Sequence, residues 1–254
     1  MRRFQSYIIC TSPRSGSTML CRLLCDTGIA GHPGSHFHEP SIEKWLEYYD
    51  LRGIKFADEH AKLVAIFEAA VAYGKGRSDI FSLRLQWDSL CYFIQKLNTL
   101  RPTEQTAQAR LDAAFGSTLL IHLTRRDKLA QAISCVKARQ TGLWHKRADG
   151  SELERLSSHQ DPLYDRGAIG AQLAEFQAND LAWENWFKAE RLPPLRLTYE
   201  DLSMDTTNTA AKVLKALGLD QGAARNLTPT VAKLSDDTNR HWAERYVAEE
   251  SDDQ

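Results

Sequence analysis

The chain has 254 residues, 43% of them apolar, and a formal net charge of −1 at pH 7. A chain of this length can bury one sizeable core, so we expect a single α/β domain spanning residues 1–254. Because positive and negative charges nearly cancel, the composition excludes a general affinity for nucleic acid or for anionic membranes, and any anion site must be built locally.

The apolar runs and the cysteines indicate the compartment. No apolar stretch approaches the ~20 residues of a membrane span, so we expect no integral membrane segment, and the apolar run near the N-terminus is too short for a signal peptide. The five cysteines are odd in number and include no C-x-x-C pair, which is typical of reduced thiols that pack as small apolar side chains. We therefore expect a cytoplasmic protein.

The first predicted elements surround an anion-binding loop. Tyr7–Cys10 is a short apolar strand, Thr11–Gly16 is a loop, and the apolar spacing in Ser17–Leu24 predicts a helix with one buried face. An anion would lie on the first turn of that helix, because unpaired N–H groups and the positive end of the helix dipole meet there. Arg14 adds a permanent cation whose forked donors suit phosphate or sulfate oxygens. The hydroxyl groups that could supplement it belong to Ser15, Ser17 and Thr18.

This loop differs from the P-loop of nucleotide triphosphatases, G-x-x-x-x-G-K-[ST]. The leading Gly and the Lys are both missing, Arg14 precedes Gly16, and the spacing tightens to P-R-S-G-S-T. That pattern suits an anion that needs little divalent metal, such as a sulfonate with one negative charge. The alternative is an ordinary strand-to-helix turn with good N-cap residues.

Strands and helices alternate along the rest of the chain. The further predicted strands are Ile80–Leu85, Thr118–Thr124 and Leu195–Tyr199. The first helix ends at Gly28, and the others are Ser41–Tyr49, Asp58–Tyr73, Trp87–Asn98, Arg126–Thr141, Ala168–Glu190 and Thr209–Leu217. The alternation predicts a mostly parallel sheet flanked by helices, with ligands at the C-terminal ends of the strands, where Thr11–Gly16 and Thr124–Asp127 lie. Arg101–Gln108 and Lys146–Asp165 look irregular, and the second is either a mobile lid or a surface loop.

The motifs resemble those of one family. P-R-S-G-S-T after an N-terminal strand resembles the phosphosulfate-binding loop of sulfotransferases, and TSPRSGSTMLCRLLCDTGIAGHP is similar to the bacterial trehalose 2-sulfotransferase (Stf0-type) family. The likeness continues at LLIHLTRRDKLAQAIS, RQTGLWH, LRLTYEDL and, more loosely, HWAERY, so it spans almost the whole chain. It implies a P-loop-like sulfotransferase fold, 3′-phosphoadenosine 5′-phosphosulfate (PAPS) as the sulfate donor, and a homodimer.

The implied donor carries two separated anionic groups, so a second phosphate site is expected. In the broader superfamily an Arg and a Ser downstream hold the 3′-phosphate, and Arg125 and Ser134 match the Stf0-type pattern R-x-D-x-x-x-Q-A-x-S. The alternative is that Arg126 and Asp127 form a plain first turn of a helix. The predicted donor-binding residues are Pro13, Arg14, Ser15, Gly16, Ser17, Thr18, Arg125 and Ser134.

Transfer also needs positive charge on the departing phosphate, which Arg14 can supply, and a base for the acceptor's proton. The loop after the first helix offers His36, His38 and Glu39 as bases. In the related trehalose enzyme a Glu proposed as base lies two residues after a Gly-x-Pro element, but an ungapped register places Ser35 there. The alternative is a polar surface loop with the base elsewhere. The histidine spacing is not a zinc signature, and we expect no metal.

Aromatic side chains beside hydrogen-bonding groups suit the apolar faces and hydroxyl groups of sugars. The predicted acceptor contacts are Ser35, Phe37, Arg84, Trp87 and Trp144. A core position is equally compatible with Trp87. We expect Trp183 and Trp186 in the core, because they are three residues apart on a long amphipathic helix.

Two later segments also resemble the superfamily. Tyr199–Leu202 is similar to the Y-E-D-L that closes a late strand, although acidic residues opening a short helix explain it equally well. Lys233–Tyr246 resembles the C-terminal segment that covers the nucleotide, with Lys233 and Arg240 as candidate contacts.

Together these patterns predict a sulfotransferase that moves a sulfuryl group from PAPS to a hydroxyl group of a carbohydrate or glycolipid. An alternative enzyme is a small kinase-like phosphotransferase, which the missing P-loop Lys disfavours. A third alternative is a nucleotide-binding regulatory protein that keeps the anion site without turnover.

Overall fold

The computed structural model describes residues 4–232 and 234–252. Four parallel strands form its main sheet, in the order β2-β1-β3-β6, and two antiparallel strands form a separate hairpin, β4-β5. The strands are β1 (Ser6–Thr11), β2 (Phe81–Gln86), β3 (Thr118–Thr124), β4 (Leu143–Lys146), β5 (Glu152–Arg155) and β6 (Leu195–Thr198). The predicted parallel sheet and α/β class are therefore confirmed.

Helices cover both faces of the sheet. Those in the described ranges are α1 (Ser17–Asp26), α2 (Ile42–Tyr48), α3 (Glu59–Lys75), α4 (Trp87–Leu100), α5 (Ala107–Phe115), α6 (Lys128–Thr141), α7 (Arg166–Ala189), α8 (Tyr199–Met204), α9 (Thr206–Leu217) and α10 (Asp237–Asp252). Each helix predicted from the sequence is confirmed, with ends shifted by no more than three residues. The sequence reasoning missed α5, which begins inside the stretch read as irregular, and α10.

The central strand β1 is buried throughout, because it has a neighbour on each side and helices on each face. Successive side chains point to opposite faces. Ile8 and Cys10 join a core cluster with α3, α4, α5 and α7, whereas Tyr7 and Ile9 join a second cluster with α1 and α9. Because β1 is buried on both faces, its sequence is an unbroken apolar run, and this run predicted the strand.

A third core cluster attaches the C-terminal helix. Trp242 and Tyr246 of α10 pack with Ile169 and Phe176 of α7 and with buried residues of α6. Arg240 points away from this contact, with an exposed side chain that pairs with Asp237. Lys233, the other predicted nucleotide contact, lies outside the described residues.

The segment Lys146–Asp165 is partly ordered rather than wholly irregular. Its first part belongs to the β4-β5 hairpin, whose free edge pairs with a distant segment: Arg147 bridges to Val231, and the Ala232 N–H donates to the Lys146 carbonyl at 3.0 Å. The hairpin and residues 230–232 thus form one small layer joined from two parts of the chain.

The topology positions two loops side by side. Because β1 pairs directly with β3 in parallel, the loops that follow both strands leave the same edge of the sheet. Within the described ranges, no helix is long and apolar enough to cross a membrane, and no group of three or more Cys, His, Asp or Glu side chains is arranged to hold a metal ion.

Candidate active site

The loop between β1 and α1 turns sharply through two left-handed residues. Arg14 has φ 63° and Gly16 has φ 82°. Gly16 is the N-cap of α1 and no side chain caps the helix, so the first-turn N–H groups are left for a ligand. A β-carbon on Gly16 would lie 2.7 Å from Cδ2 of Tyr199, so the position requires glycine on steric grounds as well.

Buried hydrogen bonds hold this loop against its neighbours. The Thr11 hydroxyl donates to the Leu123 carbonyl at 2.7 Å and lies 2.6 Å from the Ser15 hydroxyl, while Gln131 Nε2 donates to the Pro13 carbonyl at 2.7 Å. The Ser15 side chain is fully buried in this network. Its hydroxyl therefore holds the loop together, whereas the sequence predicted that it would donate a hydrogen bond to the anion.

Two predicted cations meet behind the loop. Arg14 Nε donates to the Ser134 hydroxyl at 3.0 Å, and its Nη1 donates to the Trp144 carbonyl. The Arg125 guanidinium lies 4.6 Å from the ring centroid of Tyr199, with Nη1 3.5 Å from the Arg14 carbonyl. Burial lowers the pKa of Arg14, and the neighbouring charge of Arg125 lowers it further. The Arg14 guanidinium nevertheless stays protonated near neutral pH.

A third arginine, Arg84 on β2, reaches the same place. Its Nε donates to the Ser35 hydroxyl at 2.9 Å and its Nη1 donates to the Thr18 hydroxyl at 2.8 Å. Across the described residues, Arg14, Arg84 and Arg125 form no ion pair with a carboxylate, and Arg125 Nε is buried with no hydrogen-bond partner. Half-buried cations without a counter-charge are unfavourable, and an anionic ligand would supply the missing partner.

Two histidines line the site in neutral form. His145 Nε2 lies 3.0 Å from the Thr18 hydroxyl and 3.5 Å from Glu154 Oε2. Burial, together with nearby arginine charges, lowers the pKa of His145 to about 3. The ring of His36 is 1% exposed and donates from Nε2 to the His32 carbonyl at 3.0 Å, and burial lowers its pKa to about 4.

These groups surround a cleft of about 660 Å³. The anion loop forms its base, α2 forms one wall, and the hairpin with residues 231–232 and 234–235 forms the cover. Of the residues predicted from the sequence, those that line it are Pro13, Arg14, Gly16, Ser17, Thr18, Ser35, His36, His38, Glu39, Arg84, Arg125, Ser134 and Trp144.

Two predicted acceptor contacts lie elsewhere. Phe37 is fully buried, with its ring 4.8–5.0 Å from those of Trp45, Phe67 and Phe93, so the core position contradicts the expected sugar contact. Trp87 does not line the cleft; its ring packs edge-on against Trp183 at 5.1 Å. The core alternative is therefore correct for Trp87. The aromatic residues that line the cleft besides Trp144 are Trp45, Tyr48 and Tyr199.

The short helix α8 organises the second loop, which sequence reasoning did not foresee. The Glu200 carboxylate accepts the backbone N–H groups of Arg126 and Asp127 at 3.1–3.2 Å, next to Arg125. Burial would raise the pKa of Glu200, but these N–H donors outweigh it and the pKa is lowered. The Y-E-D-L signal was visible in the sequence; its contact with the β3-α6 loop was not.

The fold and the site define an α/β protein with an anion-binding cleft at the C-terminal edge of a parallel sheet. The chain belongs to the Stf0 sulphotransferase family, whose family model matches residues 6–249. It therefore falls in the sulfotransferase class of enzymes.

Curated relatives and one solved structure extend over almost the same length. Trehalose 2-sulfotransferase of Mycolicibacterium smegmatis is 27% identical over 95% of this chain and 94% of its own. Trehalose 2-sulfotransferase of Mycobacterium tuberculosis is 26% identical over 98% and 96%, respectively. A crystal structure of a sulfotransferase from Alicyclobacillus acidocaldarius aligns with a TM-score of 0.44 and 14% identity, covering 98% of this chain and 92% of that one.

Proposed function

We propose that the protein transfers a sulfuryl group from PAPS to a hydroxyl group of a carbohydrate or glycolipid. The observation that carries this proposal is the convergence of three arginines without carboxylate partners, Arg14, Arg84 and Arg125, on one cleft in a member of a sulfotransferase family. Such a cluster favours a multiply charged anion, and PAPS carries a phosphosulfate and a second phosphate.

The donor's two charged groups have separate partners in this arrangement. The phosphosulfate would lie on the N-terminus of α1, against Arg14 and the hydroxyl groups of Ser17 and Thr18. The 3′-phosphate would take Arg125, whose buried Nε lacks a partner in the described residues, and Ser134, which also lines the cleft and accepts from Arg14 Nε. The fit of PAPS thus rests on cationic and hydrogen-bonding groups that have no carboxylate partner within the described residues.

The acceptor would enter from the side of α2. This wall combines the exposed ring of Tyr48 with the polar side chains of Lys44 and Glu47, and Trp144 lies across from the anion loop in the hairpin. Flat aromatic surfaces next to charged hydrogen-bonding groups suit sugar rings. The names of the two curated relatives, which are trehalose enzymes, also favour a carbohydrate acceptor.

The reaction is a single displacement at sulfur. The acceptor oxygen forms a bond to sulfur as the bond between sulfur and the bridging phosphate oxygen breaks, and the electron pair of that bond stays on the 5′-phosphate. In this proposal the departing phosphate gains charge next to Arg14 and the first-turn N–H groups of α1, which would stabilise the transition state, and a base in the cleft takes the acceptor's hydroxyl proton.

Replacing Arg14 tests this function. With PAPS and a panel of sugars that includes trehalose, Arg14→Ala should lower kcat/KM by about 10²–10³-fold. The variant lacks the guanidinium that would stabilise the negative charge developing on the departing phosphate. Arg191→Ala is the matched control: Arg191 is also an arginine with a left-handed backbone, at φ 55°, but it follows α7 at the opposite edge of the sheet. Labelled sulfate in the product and its position by mass spectrometry are the measurements.

The outcomes separate the alternatives. Unchanged transfer by Arg14→Ala would contradict the assigned role of the loop. Tight binding of adenosine 3′,5′-bisphosphate by calorimetry, with no transfer to any sugar, would indicate a nucleotide-binding protein without turnover. The homodimer implied by the family resemblance stays a prediction, which the molar mass in solution would test.

A further inference from the structure

His145 connects the anion loop to the cover of the cleft. It lies on β4, where it pairs across the hairpin with Glu154 of β5, and its Nε2 is 3.0 Å from the hydroxyl of Thr18 on the first turn of α1. Its side chain is 20% exposed and lines the cleft. Of the histidines that line this cleft in the described residues, it is the one hydrogen-bonded to the anion loop.

Arg84 leaves the Thr18 hydroxyl hydrogen available. A guanidinium only donates, so Arg84 Nη1 donates to the Thr18 oxygen, and the Thr18 hydroxyl can donate its own hydrogen to His145 Nε2 when the neutral ring carries its proton on Nδ1. In that tautomer, which the inference assigns, Nε2 is the acceptor and carries a lone pair. A neutral imidazole with a lone pair facing the anion loop is a group that can accept a proton there.

The three bases predicted from the sequence are less well placed. His36 donates from Nε2 to the His32 carbonyl, and its remaining nitrogen, Nδ1, is sealed in the protein without a partner. His38 and Glu39 are exposed at the rim, and Glu39 lies 3.9 Å from Lys44. None of these three has a hydrogen bond to the anion loop.

We propose that His145 is the general base of the transfer and that Glu154 receives the proton afterwards; this inference rests on the proposed function. With PAPS bound, the Thr18 hydroxyl donates its hydrogen bond to a PAPS oxygen and no longer to His145 Nε2. Nε2 then takes the acceptor's hydroxyl proton while the acceptor oxygen bonds to sulfur and the phosphate leaves with the electron pair. The imidazolium passes its proton to Glu154, which is 47% exposed and in contact with water.

Binding of PAPS would also make His145 a stronger base by raising its pKa. The charges that face His145 are Arg14 in the loop, Arg22 on α1, Arg84 on β2 and Glu154 on β5. A bound anion offsets the arginines, so the imidazolium becomes less unfavourable and the pKa of His145 rises. Proton transfer is then favoured only when the donor is in place.

The decisive variant is His145→Gln, which keeps a hydrogen-bonding side chain but removes the base. We expect kcat to fall by about 10²–10⁴-fold, with the affinity for adenosine 3′,5′-bisphosphate kept within about threefold and the acid limb of the pH–kcat profile removed. His159→Gln, at an exposed histidine beyond the hairpin, is the matched control and should behave as wild type. Imidazole in solution should restore part of the turnover of His145→Ala.

Each outcome has a separate meaning. If wild type transfers sulfate and His145→Gln does so within a few-fold, or if His36→Gln loses turnover while His145→Gln keeps it, His145 is not the base. A parallel loss of bisphosphate affinity would make it a donor-binding residue instead. If wild type transfers no sulfate to any sugar, the proposed function itself fails.

A measurement on the wild-type protein covers the case in which the variants do not fold. Histidine ring signals followed by NMR against pH, with and without adenosine 3′,5′-bisphosphate, should show the pKa of His145 rising in the complex. An unchanged pKa would overturn the inference.

Discussion

Gly16 shows how a single backbone position can serve both proposed phosphate sites. Its left-handed conformation turns the chain into α1, and its missing side chain admits the ring of Tyr199. That ring also contacts the guanidinium of Arg125. Tyr199 therefore packs between the anion loop and the second cation.

Gly16→Ala should damage both stability and donor binding. A left-handed alanine costs about 1–2 kcal/mol, and the new methyl group would collide with a ring held by its own neighbours, adding about 1–3 kcal/mol. Urea unfolding and calorimetry with adenosine 3′,5′-bisphosphate measure the two effects.

Gly28→Ala provides the matched control. Gly28 has a similar φ of 71°, but a β-carbon there meets nothing within 4 Å. This variant should lose only about 1 kcal/mol, because backbone strain is partly offset by the reduced freedom of the unfolded chain, and it should bind the bisphosphate normally. Equal losses in the two variants would show that Tyr199 does not constrain the loop.

Among single site residues, the sequence predicted those that belong to contiguous motifs. Arg14 and Arg125 could be predicted because each follows a buried strand at a defined spacing, and both line the cleft. His145 was passed over as a base, because its relation to Thr18 depends on how a hairpin folds back over the loop. Phe37 was misassigned because the side chains on either side of it are polar, although its own ring enters the core.

Among the elements, α8 is small but holds the β3-α6 loop in place. Glu200 accepts two backbone N–H groups of that loop, whereas Asp201 contributes an exposed ion pair with Arg126 at 3.1 Å. Both acidic residues thus pair with the Arg126 side chain, and Glu200 holds the backbone of the loop as well.

Replacing Glu200 by Ala should displace Arg125 and weaken donor binding. Losing charged acceptors for backbone donors costs about 1–3 kcal/mol of stability, and a loss of 1.4 kcal/mol in donor binding would raise its Kd about tenfold. Thermal unfolding and the Kd for the bisphosphate are the measurements. Asp201→Ala should change stability by less than about 1 kcal/mol and leave the Kd unaltered; the reverse ranking would refute this assignment.

Strands and helices could be predicted where their buried side chains form an unbroken pattern in the sequence. The four sheet strands and the long helices carry apolar patterns that only one kind of element satisfies. The β4-β5 hairpin escaped prediction because its strands are four residues long, are at most half-buried, and gain their edge partner from residues 230–232. Contacts this distant in the chain leave no local pattern.

For the molecule as a whole, neutral buried histidines make stability depend on pH. His36 and His145 have pKa values of about 4 and about 3 in the folded protein, against an ordinary 6.5. As the pH falls below 6.5, these two histidines therefore bind protons in the unfolded chain but stay neutral in the folded protein. The stabilising contribution is complete above that value and is lost as the pH decreases toward the folded values.

The free energy of unfolding should therefore decrease between pH 7 and pH 5, with His36 alone accounting for about 2 kcal/mol, at about 1.4 kcal/mol per pH unit. Urea titrations at the two pH values measure the difference. His36→Gln should reduce it by that amount, while the exposed His159→Gln should keep the wild-type difference. An identical pH dependence in His36→Gln and wild type would mean that His36 is protonated in the folded protein.

The layer formed by the hairpin and residues 230–232 has a consequence for synthesis. Arg14, Arg84 and Arg125 all precede the strip at residues 230–232, which completes the cover above them, by about 100 residues or more. During synthesis the cationic floor is therefore made before its cover. The proposed nucleotide site should become complete only once residues 230–232 have emerged and docked.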